Sequence, residues 1–359
     1  RDDLVTGVQT CALPIYYIPV DADSLISYRE AADGQILQEG ICETGAMASF
    51  LAAGSAYAVH SVPTVPFYIF YSMFGFQRVG DMIWSCADMM CRGFLLGGTA
   101  GRTTLNGEGL QHQDGHSHLL AATVPNLKAY DPAFAWELAV IVEDGIRRMY
   151  REEENIFYYL TVYNENYVMP PMPPDAGVRS GMLAGAYCWQ VSDSPGERVH
   201  LLASGAIMQQ AIVAAGLLTE LGFAADIWSV TSYTELAREA EDCERYNRLH
   251  ATGEQRKPYI ESLFCNVQGP IIAVSDYLKA LPNMIARWMP KSFTVLGTDG
   301  FGVSESREDL RDHFEISGRY IAQAAVVALY REHAIDETAL HEILTTLDIQ
   351  EHKANPLDR

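Results

Sequence analysis

The sequence predicts an α/β protein built from two successive layered domains. Short runs rich in aromatic and β-branched residues alternate with segments of helical character, which is typical of parallel α/β layers. A proline-rich run from Tyr167 to Asp175 separates two such patterns. The 359 residues of the chain are also enough for two domains with sizeable cores.

The first pattern, assigned to residues 16–166, alternates helices with buried strands. The run from Gly45 to Val59 is rich in Ala, Gly and Ser, which indicates a buried helix that lets other backbone pack closely. The run from Thr64 to Tyr71 is almost continuously apolar, as expected for a strand buried on both faces of a parallel sheet. The remaining predicted elements are a helix at 74–91, a strand at 93–97, a helix at 131–152 and a strand at 156–162.

Residues 167–194 are predicted to be a linker, because prolines continue neither a helix nor a central strand. The prolines of this stretch include Pro170, Pro171, Pro173 and Pro174. The second α/β pattern is assigned to residues 195–359. Its predicted elements are strands at 199–203, 225–230, 270–275 and 293–296, a helix at 207–221 ended by Gly222, and a helix at 319–333.

Composition excludes several classes of protein. The net charge of −21 weighs against a binder of nucleic-acid backbone, because that affinity depends on Lys and Arg. No apolar run has the length of a membrane span, so a membrane partner is not expected. The seven cysteines are odd in number and scattered without a CxxC pair, which favours the reducing cytoplasm over a disulfide scaffold.

The first fifteen residues are predicted to be foreign to the protein. The run from Val5 to Ile15 resembles the translation of a common sequencing adapter, and it is set aside from fold reasoning. On this interpretation the chain is a fragment whose native sequence begins near Tyr16. The alternative is an ordinary N-terminal tail.

The segment from Leu105 to His118 concentrates groups that carry charge or protons near neutral pH. Its titratable side chains are Glu108, His112, Asp114, His116 and His118. Imidazoles titrate near neutrality, and the three glycines of the segment let backbone approach a ligand closely. The histidines are also of a type that binds metal. However, Gly115 interrupts the helix that would align them and no cysteine cluster supports zinc, so no metal site is predicted.

A second candidate segment runs from Gly34 to Ala58, where Glu43 opens a run of small residues. Taken alone, Glu43 fits an acidic residue favoured by the helix macrodipole at a helix N-terminus. Its apolar neighbours also favour a carboxyl group with a raised pKa, since desolvation disfavours the charged form. Glu39 lies one turn away and is the second choice for such a role.

Two aromatic residues follow that segment at the end of a predicted strand. Tyr71 and Phe74 are candidates for stacking on a flat ring, which contributes roughly 1 kcal/mol beyond area burial. Phe67, Phe70 and Phe76 are assigned to the core instead, and core packing is the alternative for any single aromatic residue in a buried strand.

Taken together, these segments resemble the homodimeric pyruvate dehydrogenases, the thiamine-diphosphate decarboxylating component of the pyruvate dehydrogenase complex. The resemblance extends from about Tyr16 to Arg359 and includes the runs 231–247 and 295–315. It implies a parallel-sheet domain that binds the thiamine pyrimidine, followed by a mixed-sheet domain similar to the transketolase C-terminal domain.

The resemblance also implies roles for five residues. Glu43 would hydrogen-bond the pyrimidine nitrogen of thiamine diphosphate and drive its tautomer shift. Tyr71 and Phe74 would stack on the pyrimidine. Glu108 and His112 would reach the active centre from the substrate side, where an imidazole can stabilise the pyruvate carboxylate or an oxyanion.

The implied activity is the decarboxylation of pyruvate and transfer of the acetyl group to the lipoyl group of the dihydrolipoyl acetyltransferase core. The implied assembly is a cytoplasmic homodimer with its active centre between two chains. Magnesium and the diphosphate are expected on a domain that this chain lacks, because no GDG motif occurs in it. The similar run from Gly297 to Gly302, GTDGFG, is interpreted as a turn.

Two alternatives stay open. One is a thiamine enzyme of transketolase type that transfers ketol groups between sugar phosphates. It would need Arg and His for phosphate, and the histidine segment has no Arg after Arg102. The other alternative is a fragment without catalysis that only dimerises or docks.

Overall fold

The structure is a computed structural model that describes residues 35–37 and 39–358. The tail predicted to be adapter-derived, residues 1–15, lies outside the described residues. Within the described ranges, no helix is both long and apolar enough to cross a membrane.

The first domain is a four-stranded parallel sheet with helices packed on it. The spatial order of the strands is β1-β2-β4-β3, and every neighbouring pair is parallel. Its strands are β1 (Phe67–Tyr71), β2 (Phe94–Gly98), β3 (Leu127–Tyr130) and β4 (Phe157–Thr161). Its helices are α1 (Glu43–His60), α2 (Ser72–Asp88), α3 (Ser117–Ala122) and α4 (Ala135–Ile146).

The core of this domain follows from the apolar strands. All five residues of β4 are buried, as expected for a central parallel strand. By contrast β1 is an edge strand, and Phe67, Ile69 and Tyr71 are exposed along it. The prediction that α1 is a buried helix was wrong in one respect. The helix buries only one face, through Met47, Phe50 and a few small neighbours.

The second domain has a five-stranded mixed sheet in the order β5-β7-β6-β8-β9. The edge strand β5 is antiparallel to β7, and the other neighbours are parallel. Its strands are β5 (Tyr187–Gln190), β6 (Arg198–Ala203), β7 (Ala224–Ser229), β8 (Ile271–Val274) and β9 (Phe293–Leu296). The helices from residue 176 onward are α5 (Ala176–Ala184), α6 (Met208–Glu220), α7 (Tyr233–Leu249), α8 (Tyr259–Phe264), α9 (Ala280–Asn283), α10 (Arg307–His313), α11 (Gly318–Arg331) and α12 (Glu337–Thr346).

The predicted fold class is therefore confirmed: a parallel sheet is followed by a mixed sheet in two α/β layers. Three strands of the second sheet, β6, β7 and β8, are almost wholly buried. Helices α6 and α11 pack together on one face of this sheet in a single apolar cluster. Helices α7, α8 and α9 contribute to a second cluster that also includes Leu202 and Ala273.

The stretch predicted as a linker contains regular structure. The proline run ends before Asp175, whose side chain accepts a hydrogen bond from the Gly177 N–H and so caps α5. Gly185 then ends α5 with a left-handed conformation, and the chain enters β5. Proline therefore excludes regular structure only over the run itself, and the following residues join the second sheet.

Candidate active site

The carboxyl end of β1 carries a cluster of three aromatic side chains. Tyr71 is the last residue of β1, and Phe74 lies in the first turn of α2. Their ring centroids lie 5.2 Å apart, and the His112 ring lies 5.0 Å from Tyr71 and 5.1 Å from Phe74. Because Tyr71 remains 48% exposed, its ring offers a surface to a ligand rather than to the core.

Glu43 lies beside this cluster at the first position of α1. Its carboxylate forms an ion pair with the Arg78 guanidinium, with Oε1 and Nη1 2.5 Å apart. The same guanidinium lies over the Phe74 ring, 4.2 Å from the centroid. Arg78 thus connects the predicted acid to the predicted aromatic residues.

The local charges favour the ionised form of Glu43. A backbone hydrogen bond at the helix N-terminus and the Arg78 guanidinium lower the pKa of Glu43, against the opposing effect of desolvation. The sequence-based expectation of a raised pKa was therefore wrong for this chain. Tyr68 donates a hydrogen bond to the Glu43 carbonyl oxygen at 3.3 Å. Burial, together with the nearby Glu43 charge, raises the pKa of Tyr68 to about 12.

The histidine segment lies on the other side of the aromatic cluster. Glu108 precedes a short 3₁₀ turn, Leu110–His112, and its Oε2 lies 3.3 Å from His112 Nδ1. This distance makes an ion pair whenever the imidazole is protonated. The five predicted residues and Arg78 therefore form one continuous set of contacts, in the order Glu43, Arg78, Phe74, Tyr71, His112 and Glu108.

Sequence reasoning missed Arg78, which is the connecting member of this set. The signal was present, because Phe74 and Arg78 are spaced i,i+4 in a segment correctly predicted to be helical. Residues at that spacing share one face of a helix, and a cation beside an aromatic ring is a favourable pair.

The other two histidines of the segment have separate partners. His116 Nε2 lies 2.8 Å from Gln77 Nε2. His118 is buried, its Nε2 lies 3.0 Å from Thr161 Oγ1, and burial lowers its pKa. Across the described residues, no group of three or more His, Cys, Asp or Glu side chains is placed to hold a metal ion.

A buried aspartate of the second domain holds the segment that leads into the histidines. Asp276 follows β8 and is 1% exposed. Its Oδ1 accepts hydrogen bonds from Thr103 N and Oγ1, at 2.8 and 2.7 Å. Its Oδ2 accepts from Thr104 N and Oγ1, at 3.0 and 2.6 Å. Gly101, with a φ of +86°, packs so closely on Asp276 that a Cβ would overlap the carboxylate.

The run from Gly297 to Gly302 has a structural role at the same contact. It follows β9 without regular secondary structure, and its Thr298 and Gly300 carbonyl oxygens accept hydrogen bonds from Arg102. Burial lowers the pKa of Arg102, while nearby aspartates oppose that shift. The second domain therefore fixes the start of the histidine segment through two polar contacts.

Two known protein families match the chain, one over each domain. The family of the pyruvate dehydrogenase E1 component middle domain matches residues 6–170. The transketolase-like C-terminal domain family matches residues 185–317. The pyruvate dehydrogenase E1 component of Cupriavidus necator is 49% identical over 344 residues.

The chain is therefore similar to the pyruvate dehydrogenase E1 component along both of its domains. Two further E1 components, from Pseudomonas aeruginosa and Escherichia coli K12, are 49% and 47% identical. Each of the three alignments covers 95% of this chain but only 38% or 39% of the relative. The chain thus spans less than half the length of the E1 components that it matches.

Solved structures show the same fold at low sequence identity. Transketolase from Campylobacter jejuni superposes with a TM-score of 0.56 at 18% identity, covering 77% of this chain and 38% of that one. A split-gene transketolase, described as an inactive β4 tetramer, gives 0.56 at 17% identity and covers 81% of this chain and 83% of its own. At such identities the likeness concerns the fold alone.

Proposed function

We propose that this chain supplies the pyrimidine-binding and C-terminal domains of a thiamine-diphosphate-dependent pyruvate dehydrogenase. The proposed reaction is decarboxylation of pyruvate followed by transfer of the acetyl group to a lipoyl group. The observation that carries the proposal is the continuous set of contacts from Glu43 through Arg78 and the aromatic cluster to Glu108, in a chain similar to the E1 component.

The residues of the cluster fit the pyrimidine part of the cofactor. Tyr71 and Phe74 present ring faces, and Glu43 presents a carboxylate beside them. When bound, thiamine diphosphate supplies the carbanion chemistry that breaks the carbon–carbon bond between the keto carbon and the carboxylate of a 2-oxo acid. Stacking on the two rings and one hydrogen bond to the carboxylate together supply about 2–3 kcal/mol.

Each residue has a distinct task under this proposal. Glu43 holds and returns a proton at its carboxylate oxygen, next to the pyrimidine nitrogen. Tyr71 and Phe74 bind and orient the ring. His112 donates a hydrogen bond to the substrate carboxylate, and Glu108 Oε2, 3.3 Å from His112 Nδ1, orients the imidazole.

We further propose that magnesium and the diphosphate bind elsewhere in the complete protein. No cluster suited to a metal ion is found among the described residues, and the matched relatives are more than twice as long as the matched region. Charge neutralisation at a magnesium-diphosphate site contributes far more than one stack and one hydrogen bond. The isolated chain is therefore expected to bind the cofactor weakly at best.

The proposed assembly is a cytoplasmic homodimer that delivers acetyl groups to the dihydrolipoyl acetyltransferase core. Exposed apolar side chains in the segment before α1 and along β1 support burial in a larger assembly. They are Ile36, Leu37, Ile41, Phe67 and Ile69, with exposures from 49% to 102%. Large exposed apolar side chains are typical of a contact with another protein part. The acidic charge of −21 gives no support to a nucleic-acid partner.

The transketolase alternative receives less support from the site. A sugar-phosphate enzyme needs accessible cations. Arg102 before the histidine segment is 5% exposed and is bonded to carbonyl oxygens, and the exposed Arg78 is paired with the Glu43 carboxylate. A docking fragment without catalysis is the remaining alternative.

A chimera tests the proposal. Residues 35–359 would replace the matching region of the Cupriavidus necator E1 component, with which the chain shares 49% identity. We expect this chimera to decarboxylate pyruvate and to acetylate a lipoyl domain, dependent on thiamine diphosphate and magnesium. Ketol transfer from a ketose phosphate, without pyruvate turnover, would favour the transketolase alternative.

The matched control is the chain alone, titrated calorimetrically with thiamine diphosphate and magnesium. Weak or undetectable binding is expected.

A folded, dimeric chimera that binds the cofactor but turns over neither substrate would favour the docking fragment. Tight magnesium-dependent binding by the chain alone would show that its own residues hold the diphosphate.

A further inference from the structure

The C-terminal end of α2 brings two cysteines into contact. The helix ends at Asp88, and Met90 adopts a left-handed conformation with a φ of +55°. The Met90 N–H bonds the Ala87 carbonyl at 3.2 Å, and the Cys91 N–H bonds the Cys86 carbonyl at 2.9 Å. These two bonds define a Schellman motif, in which the third helical residue from the end and the second residue beyond the cap meet side by side.

In most such motifs the two meeting residues are apolar, and here both are thiols. Cys86 and Cys91 are fully buried, and their side chains hydrogen-bond each other. A backbone hydrogen bond between two residues also brings their Cα atoms into the range of about 4.4–6.8 Å that disulfides span. The motif thus places the two cysteines side by side at the end of α2.

We propose that Cys86 and Cys91 are a modification site that closes reversibly to a disulfide in the presence of a peroxide. In the first step the Cys91 thiolate attacks hydrogen peroxide, forming a sulfenic acid and releasing hydroxide, which takes up the thiol proton to give water. In the second step the Cys86 sulfur displaces a second water from the sulfenic acid. Two S–H bonds break, one S–S bond forms, and two electrons reduce the peroxide.

The two cysteines are unequal in a way that suits these steps. The hydrogen bond from Cys86 lowers the pKa of Cys91, whereas the same bond and burial raise the pKa of Cys86. Thiolate is the reactive form, so Cys91 is the attacking group and Cys86 the resolving one. Cys91 packs against α1, where its Sγ donates a hydrogen bond to the Leu51 carbonyl oxygen at 3.6 Å. Access therefore requires the turn at Met89 and Met90, whose side chains are 44% and 51% exposed, to open away from α1.

Mass spectrometry tests this site directly. The chain is treated with hydrogen peroxide, its remaining thiols are alkylated after unfolding, and it is cleaved after Arg residues. The peptide from Val79 to Arg92 holds both cysteines. We expect it to lose two hydrogen masses and to escape alkylation, and dithiothreitol to restore two alkylatable thiols. Oxygen added to methionine changes the mass differently and does not interfere.

Two variants and an internal control complete the design. In Cys86→Ser the resolving thiol is absent, so Cys91 is expected to accumulate a dimedone-reactive sulfenic acid. In Cys91→Ser, Cys86 is expected to stay reduced. Cys42 is exposed and serves as the internal measure of oxidant dose. A peptide with both cysteines alkylated, at a dose that has oxidised Cys42, would overturn the proposal, as would either cysteine paired with any other residue.

Discussion

Replacement of Asp276 by Ala is predicted to release the histidine segment from the second domain. The Asp276 carboxylate accepts four hydrogen bonds, two from Thr103 and two from Thr104, and all three residues are buried. The threonine hydroxyls can rotate toward other acceptors, whereas the two backbone N–H groups cannot. Each orphaned buried donor costs about 1–3 kcal/mol, so the variant should lose about 2–6 kcal/mol of unfolding free energy.

Asp276→Asn separates the effect of charge from the effect of acceptor number. The amide keeps one acceptor oxygen and places an NH₂ group against the second pair of donors, so about half of that loss is expected. Burial raises the pKa of Asp276, which means that the charge itself is costly in the folded state. Removal of the charge therefore offsets part of the loss of unfolding free energy in Asp276→Asn.

The assay is urea unfolding together with hydrogen exchange of the Thr103 and Thr104 amides. Exchange is predicted to accelerate in Asp276→Ala, and the His112 ring resonances to shift as the segment loosens. Asp242→Ala is the control, because its carboxylate is 67% exposed and 3.9 Å from Arg256, and a change within about 0.5 kcal/mol is expected. A loss below about 1 kcal/mol with unchanged amide protection would refute the proposed anchoring.

Three further predictions concern the charges around the site. Arg78→Gln should raise the midpoint of the Glu43 titration in carbon NMR, because it removes a cation that favours the carboxylate, whereas Arg179→Gln on the surface should leave it unchanged. Burial lowers the pKa of His118 below 6.5, so the unfolded state binds the proton first as the pH falls. The free energy of unfolding should therefore decrease at pH values below about 6.5, by up to about 1.4 kcal/mol per pH unit. His118→Gln should flatten this dependence in urea titrations, and an unchanged slope would exclude His118 as its source. In the chimera, His112→Ala should lower lipoyl acetylation while cofactor proton exchange stays near the parent rate; equal losses in both would place His112 in cofactor activation.

The buried strands could be predicted because their sequence pattern depends on burial itself. The apolar runs that became β4, β6 and β7 were all found, since central parallel strands carry little else. The run that became β1 was also found, but the prediction that it is buried on both faces was wrong, because β1 is an edge strand. Strand β3 was missed, because its four residues include Lys128 and follow a polar turn. Strand β5 was assigned to the linker, because a short antiparallel edge strand after a proline run has no long apolar signal.

The structure brings the predicted site residues into contact, but their electrostatics could not be predicted from the sequence. The residue types of Glu43, Tyr71 and His112 pointed to the chemistry, and the structure brings them into one set of contacts. The pKa of Glu43 is lowered first by a backbone hydrogen bond at the helix N-terminus and then by Arg78, thirty-five positions later in the chain. The anchor at Asp276 lies in the other domain, so no local pattern around the histidines could reveal it.

The most direct test of the proposed function measures proton exchange at the thiazolium C2 of thiamine diphosphate bound to the chimera. Magnetic resonance after rapid mixing with deuterium oxide gives the rate. The account predicts that Glu43→Gln slows this exchange by about 100-fold or more, the range expected for loss of acid-base participation. The cofactor and the fold should be retained. Exchange at the parent rate in Glu43→Gln, with the cofactor fully bound, would contradict the assignment of Glu43 and the pyrimidine site built around it.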